Sequence, residues 1–552
     1  MNVTSLSSLR QRCDVPASVF HKALELAAKG ASVSSIAEIL DVPRTTLRDK
    51  LSAHENCPLP DVLKNAFVSP EGEAFLKRFA IVLHVEVRNM GACGLRVIEN
   101  ILRSTGLSVF LGASLGCQWS FGHTVDEGIV AFGDAQRERM LPSLKEKEIT
   151  LACDENFHEG PCLIAMEPAS NFIVVEELCA SRSVDEWKKA LEPVLAHLGV
   201  KVTQVTSDSG TSILALAESV LGAQHSPDLF HILYDFKRRF TPAMRIVKRN
   251  IERDLSQCER ELAKLERMQS RWDAFLPKER GRGRPPHFDK RKQEQEDLFI
   301  AHMDSMLQFQ HCEKRINDAL KSLSQSYHPV CLKTGKRTGK STFDLILQKV
   351  LENIRYVINE LSLAPFAQEA LEKFERMTAK MSSTLENIEL RWRSRARAAC
   401  ADRKTSFVLE SFLAPAAYLE RLAQKTNDLK AHALKSVAKD LRCKAHVSLS
   451  KQECAAVEPL AVTMANDFQR SSSMVEGRNG QLSLRHHAFH ELPLLKRQVL
   501  TIMHNYVQQR EDGTTASERF SGVKPDELIE WLCCRIKSFP KAGGRRSLAK
   551  AS

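Results

Sequence analysis

Apolar residues along this chain recur first at the spacing of helices, then of strands, then of helices again. Phe20, Ala23, Leu24 and Ala27 fall three and four apart, and Lys29-Gly30 closes that helix. Ser34 is the expected cap of a short helix carrying Ile36, Ala37, Ile39 and Leu40. A tight turn at Asp41-Val42-Pro43 follows, and RTTLRDKLSA opens a further helix. Residues 60 to 147 read as mostly helical, with a break at Gly106 and a new start at Ser114. From 148 the period becomes two. ITLACD is a short buried strand ending in Asp154, and PCLIAMEPA and NFIVVEELCA continue it as an antiparallel meander. SVDEWKKALEPVLAHLG is amphipathic, with Ser183 as cap and Gly199 as stop. KVTQVTSD is a fourth strand ending in Asp208, TSILALAESVLG a helix, and HSPDLFHIL a short fifth strand.

A long helical tract occupies about 240 to 465. Its apolar stripes are Leu255, Cys258, Leu262, Leu265, Met268 and Trp272, then Phe299, Met303, Met306, Phe309, Ile316, Leu320 and Leu323, then Phe343, Ile346, Val350, Ile354, Val357 and Leu361. Such stripes predict antiparallel helices packed on one another. KERGRGRPPHFDKRK, between the first two, carries too much Gly, Pro and charge for a helix and is expected as a loop. The fold class that emerges is multidomain α with an α/β core.

Length and charge narrow the function. A chain of 552 residues exceeds one hydrophobic core, and three or four domains are expected. The net charge of +11 favours a polyanionic partner. The 15 cysteines form no CxxC pair and no Cys/His cluster at zinc spacing, a usage suited to a reducing cytoplasm. The first residues lack an apolar signal region and no apolar run reaches membrane-spanning length, so a soluble intracellular protein is expected.

Two kinds of candidate site stand out. The pair of helices around Asp41–Pro43 has helix-turn-helix form. It would present Arg44, Thr45, Thr46, Arg48 and Lys50 from its second helix to a DNA major groove. Residues 59–147 read equally as a connector or a second DNA-binding element. Asp154, Asp208 and Glu476 then form a set of carboxylates from distant segments, which repel one another unless a cation is shared among them. The first two end strands that can lie side by side. Glu453, Glu458 and Glu491 lie near the third, and Glu476 is preferred because Gly477 beside it, a costly residue in a helix, suits close approach of backbone or DNA. Arg478, Asn479, Arg485 and His486 read as DNA-end contacts or as a solvated helix face. Arg282-Gly283-Arg284-Pro285 is similar to an AT-hook core, which lies in a narrow minor groove, and reads equally as a basic loop. Residues 391–404, including Arg391 and Arg393, and the tail from Arg535 are candidate phosphate tracks.

The strand-helix order, with Asp-Glu at the first strand, Ser-Asp at the fourth and Glu-Gly-Arg-Asn on a later helix, resembles the DDE transposases of bacterial insertion sequences. SPDLFHI is similar to the Asp-x-Phe-His step that follows their second aspartate. The resemblance implies an RNase H-like core interrupted by a helical insertion. It implies two Mg2+ ions, for which Mn2+ substitutes, with Asp154 bridging both and Asp208 and Glu476 holding one each. Hard carboxylate oxygens suit such ions, and a pair of them supports in-line displacement at phosphorus. The expected division is 1–58 helix-turn-helix, 59–147 helical, 148–240 first part of the core, 241–465 helical insertion, 466–512 second part with the glutamate, and 513–552 C-terminal helix and basic tail. The expected partners are double-stranded DNA, as terminal inverted repeats and target, and a second copy of the chain, with no membrane; the expected location is the bacterial cytoplasm, at the nucleoid. The alternatives are a catalytically silent or domesticated DNA-binding regulator of the same fold, and a nuclease lacking strand transfer.

Overall fold

The computed structural model describes Val15 and residues 17–157, 160–208, 210–275, 286–489 and 491–540. The protein is mostly helical around one mixed five-stranded sheet. Its strands are β1 (Glu148–Phe157), β2 (Pro161–Glu167), β3 (Phe172–Leu178), β4 (Lys201–Ser207) and β5 (Gln224–Pro227). They lie in the order β3-β2-β1-β4-β5, the first three antiparallel and β1, β4 and β5 parallel. The meander forms because Asn171 adopts a positive φ of 65° and lets β2 turn directly into β3. The step from β3 to β4 needs a crossover. The helix Val184–Leu198 supplies it, with Ser183 accepting from Glu186 N–H and Gly199 ending it in the left-handed region.

Alternation along the strands sorts the side chains into two layers. Leu151, Cys153, Leu163 and Ala165 pack toward Trp187, Leu191 and Leu195 of the crossover helix and toward the helix Leu115–Leu144. Ala152, Ile164, Met166 and Ile173 face the other way, onto Val475 and Leu482 of the helix Ser473–Phe489. Asp154 shares the parity of Ala152 and stands on that second face. Glu155 is on the first, where it accepts from Trp187 Nε1 at 3.4 Å.

Two further clusters complete the described core. An N-terminal unit of helices Ala17–Ala28, Val33–Ile39 and Arg44–Glu55 closes on Phe20, Ala23, Ile36 and Leu47. The long helices Leu229–Ala274, Phe288–Ser326, Lys340–Glu360 and Pro365–Ala399 pack with those that follow around Phe309, Ile316, Leu320, Phe343, Ile354 and Phe374. Met268 and Met303, on the same stripes, are exposed.

Several boundaries differ from the sequence reading. The cap of the second N-terminal helix is Ser32, whose hydroxyl accepts from Ser35 N–H, rather than Ser34. β1 runs on through Asp154 to Phe157, because residues 154–157 keep pairing with β2. The fifth strand stops at Pro227, because Asp228 caps a helix and LFHIL is helical. That helix passes position 241 unbroken. The segment expected as a loop at 278–292 turns helical by Phe288. No helix among the described residues is long and apolar enough to cross a membrane.

Candidate functional site

The polar groups gather at the end of β1 and β4, on the face covered by the helix Ser473–Phe489. Asp154 is half-buried. Its Oδ1 accepts from Glu155 N–H at 2.9 Å and its Oδ2 from the Asn479 side-chain amide at 2.9 Å. Burial pushes its carboxyl up to about 6, and the charge of Asp208 adds to the rise while His231 opposes it. Asp208 follows β4, is exposed, and accepts from Gly210 N–H at 3.0 Å.

Glu476 reaches this place through two clasps. Gln204, fully buried on β4, donates from Nε2 to the Gln469 carbonyl at 2.9 Å and accepts from Gln469 N–H at 3.1 Å. Ser226 on β5 also donates to that carbonyl at 3.2 Å. Asp228 is the second clasp. One of its oxygens accepts from Phe230 and His231 N–H, and the other from Ser472 N–H at 2.6 Å and Ser472 Oγ at 2.5 Å. A single carboxylate thus starts the helix carrying His231 and holds the residue before the helix carrying Glu476.

The result is that His231 Nε2 stands 3.0 Å from Glu476 Oε1. Neither atom contacts solvent, and their mutual orientation is not that of a hydrogen bond. The ligand atoms of Asp228, His231 and Glu476 lie within 4.8 Å of one another, a grouping able to hold a metal ion. Asp228 is the weakest donor of the three, because four N–H and O–H groups already occupy its oxygens. His231 and Glu476 have capacity to spare, and the neighbouring Asp154 and Asp208 carry like charges that a cation relieves. The residues present therefore fit a divalent cation. Asp154 and Asp208 themselves stand outside the 4.8 Å group.

Arg44, Thr45 and Arg48 are exposed on the third N-terminal helix, and Thr46 is half-buried. Lys50, expected on the outward face, turns back instead. Its ammonium lies 3.4 Å from the Val15 carbonyl and over the Phe20 ring. Arg478, expected at a DNA end, is 5% exposed and donates from Nε and Nη2 to the fully buried Glu176 carboxylate at 2.6 and 2.8 Å. Although burial raises the Glu176 carboxyl, Arg478 and Thr501 pull it below its usual range. Asn479 is held by Asp154 rather than offered to solvent, and Arg485 donates to the Met90 carbonyl at 2.6 Å.

Within the basic run at 391–404, Arg397, Arg403 and Lys404 are exposed, while the first three arginines are engaged by the protein. Arg391 donates to the Thr203 carbonyl, Arg393 pairs with Glu389 at 2.9 Å, and Arg395 pairs with Asp467 and Glu148. Arg391 and Arg395 join the helical tract to the sheet, whereas Arg393 pairs within its own helix and stays half-exposed. Arg282 and Arg284 lie outside the described residues.

Sequence reasoning missed the helical setting of His231. The signal was present: Asp228 three residues before His231 is the spacing of a helix cap to its third residue.

A family model described as a family of unknown function, DUF6399, matches residues 409–548. That stretch holds Glu476, Arg478 and Asn479 and leaves out Asp154 and Asp208. No curated protein and no solved structure matches the chain.

Proposed function

We propose that this protein is a DDE-type transposase, which cuts DNA at the ends of an insertion sequence and joins the freed 3′-hydroxyl to target DNA. The observation that carries the reading is the return of Glu476 to the face of the sheet that holds Asp154, with His231 against it and Asn479 on Asp154. The strand order of the sheet, three antiparallel strands and then two parallel ones with a helix between β3 and β4, supports an RNase H-like core. The helices at 33–39 and 44–55, joined at Asp41 with its φ of 53°, support a helix-turn-helix whose exposed Arg44, Thr45 and Arg48 meet DNA. Gly477 and Gly480 support approach of a large substrate, since each looks onto open space with no protein atom where a Cβ would sit.

Asp154, Asp208, Glu476 and His231 are the residues that would hold divalent ions, of which magnesium is the first choice for carboxylate oxygens. When bound, such ions lower the charge barrier between an attacking oxygen and the phosphate. The protein's own part is positional. Asn479 and the Glu155 N–H fix both oxygens of Asp154, and Asp228 locks the helices of His231 and Glu476 together.

The test is a cleavage assay on DNA bearing the flanking element ends, in magnesium or in EDTA. Metal-dependent release of a 3′-hydroxyl, abolished by Asp154→Asn, Asp208→Ala and Glu476→Ala with DNA binding intact, is the expected result. Binding without cleavage at the correct ends would make the protein a regulator. Cleavage with no joining of a supplied, labelled 3′-hydroxyl end would make it a nuclease. Full activity in the Glu476→Ala variant would show that the third ligand lies elsewhere.

A further inference from the structure

The helix that delivers His231 to the carboxylates carries two large rings on its outer side. Phe230 is 52% exposed and Tyr234 is 57% exposed. They are four residues apart, hence on one face, and their rings lie nearly parallel, at 16° with centroids 6.1 Å apart. Scattered apolar residues on a surface need no explanation, but two exposed, near-parallel stacked rings one residue and three residues from a site ligand form an aromatic patch onto which a further flat ring can stack. Phe230 also meets the His231 ring in a T-shaped contact at 5.7 Å, so the aromatic patch adjoins the candidate metal site.

The same helix then becomes basic. Lys237, Arg238, Arg245, Lys248 and Arg249 follow Tyr234 along its exposed positions. Arg238 is tied to Asp235 at 3.1 Å, and Lys248 approaches Glu252 at 3.9 Å. Lys237, Arg245 and Arg249 are exposed on the outside of the helix. Flat aromatic faces followed by a line of cations are what an unpaired nucleic-acid strand requires: bases stack on the rings, and phosphates follow the charges. A base inside a duplex has no free face to offer, whereas a strand opened at a cut end does.

We infer that Phe230 and Tyr234 form a stacking platform for one or two unpaired bases of the DNA strand entering the site, whose phosphates continue along Lys237, Arg245 and Arg249. The inference rests on the transposase reading, which it deepens by naming the form of DNA that the site takes: an end whose terminal bases are unpaired.

The test does not depend on cleavage. A single-stranded oligonucleotide with one 2-aminopurine is titrated with the full chain in EDTA, and its fluorescence and anisotropy are followed. Stacking on the platform quenches the fluorophore, and quenching is expected with the wild-type chain. The Phe230→Leu/Tyr234→Leu variant keeps apolar bulk but loses the ring faces. It is expected to abolish the quenching and to weaken single-strand affinity by about tenfold or more, with blunt-duplex affinity and circular dichroism unchanged. Lys237→Gln/Arg245→Gln/Arg249→Gln should leave the quenching at saturation and flatten the fall of affinity with salt. Wild-type chain that fails to quench, or a leucine variant that quenches and binds as wild type, overturns the inference. So does a result in which the leucine variant only dissociates self-associated chains in light scattering, which would make the rings a protein interface. Absence of magnesium-dependent cleavage beside a retained platform signal would sink the transposase reading alone.

Discussion

Asp154 is held at both oxygens, by its neighbour's backbone N–H and by the amide of Asn479. On the transposase reading, a carboxylate so fixed would meet a cation or a reacting phosphate in one orientation, without rearrangement. Asn479→Leu keeps the volume and removes the donor. It should lower the single-turnover cleavage rate by roughly 10- to 100-fold, the usual effect of losing a group that orients a ligand, and leave DNA affinity unchanged. A rate within twofold of wild type would mean that Asn479 only fills space. Asp154 and Asp208 could be singled out from sequence because each follows a run of strand-forming residues, although only Asp208 follows its strand and β1 continues past Asp154 to Phe157. The partner of Asp154 was not, because an asparagine in Gly-Arg-Asn-Gly reads as a turn or a surface contact until the helix is seen docked on the sheet.

At the scale of elements, the helix Ser473–Phe489 is fastened to β3 by Arg478 and Glu176. Both are buried, and Thr501 adds a third bond at 2.8 Å. Removing one partner of a buried pair leaves the other's charge uncompensated. Arg478→Ala should therefore destabilise the fold by about 3–5 kcal/mol in chemical denaturation, while Arg478→Met/Glu176→Gln should recover much of that loss. Equal loss in the single and double variants would show that the pair has no mutual dependence. Elements fixed by neighbours in sequence were readable in advance: Ser183 and Gly199 mark the crossover helix by cap and stop alone. Arg478 was misread because its partner lies 302 positions away, and nothing local distinguishes a buried arginine from one that faces DNA. The inward turn of Arg391 and Arg395 was hidden for the same reason, with Thr203, Glu148 and Asp467 supplied from elsewhere in the fold.

For the whole molecule, pH separates the folded from the unfolded chain chiefly through buried histidines. His84, His225 and His504 are each pushed down to about 4 by burial, and His328 well below its usual value. Between pH 6.5 and 4 the unfolded chain takes up protons at these rings that the folded chain refuses, so stability falls with pH. Each ring contributes at most about 3 kcal/mol to that fall. Asp154 and Asp467, both raised to about 6 chiefly by burial, act in the opposite sense, since the folded chain holds protons there that the unfolded chain releases down to its ordinary carboxyl range. Four groups against two predict a net loss on the order of a few kcal/mol from pH 7 to pH 4.5, visible as a lowered Tm. A Tm that is flat or rises over that range would contradict it. The clasp of Gln204 on Gln469 has a further consequence, in the order of synthesis. The ribosome releases Asp154 and Asp208 early, and the whole helical tract must follow before Ser472 and Glu476 emerge to meet Asp228. On the transposase reading, a prematurely ended chain would carry the N-terminal helices beside an incomplete set of carboxylates, and it would compete for the same DNA without cutting it.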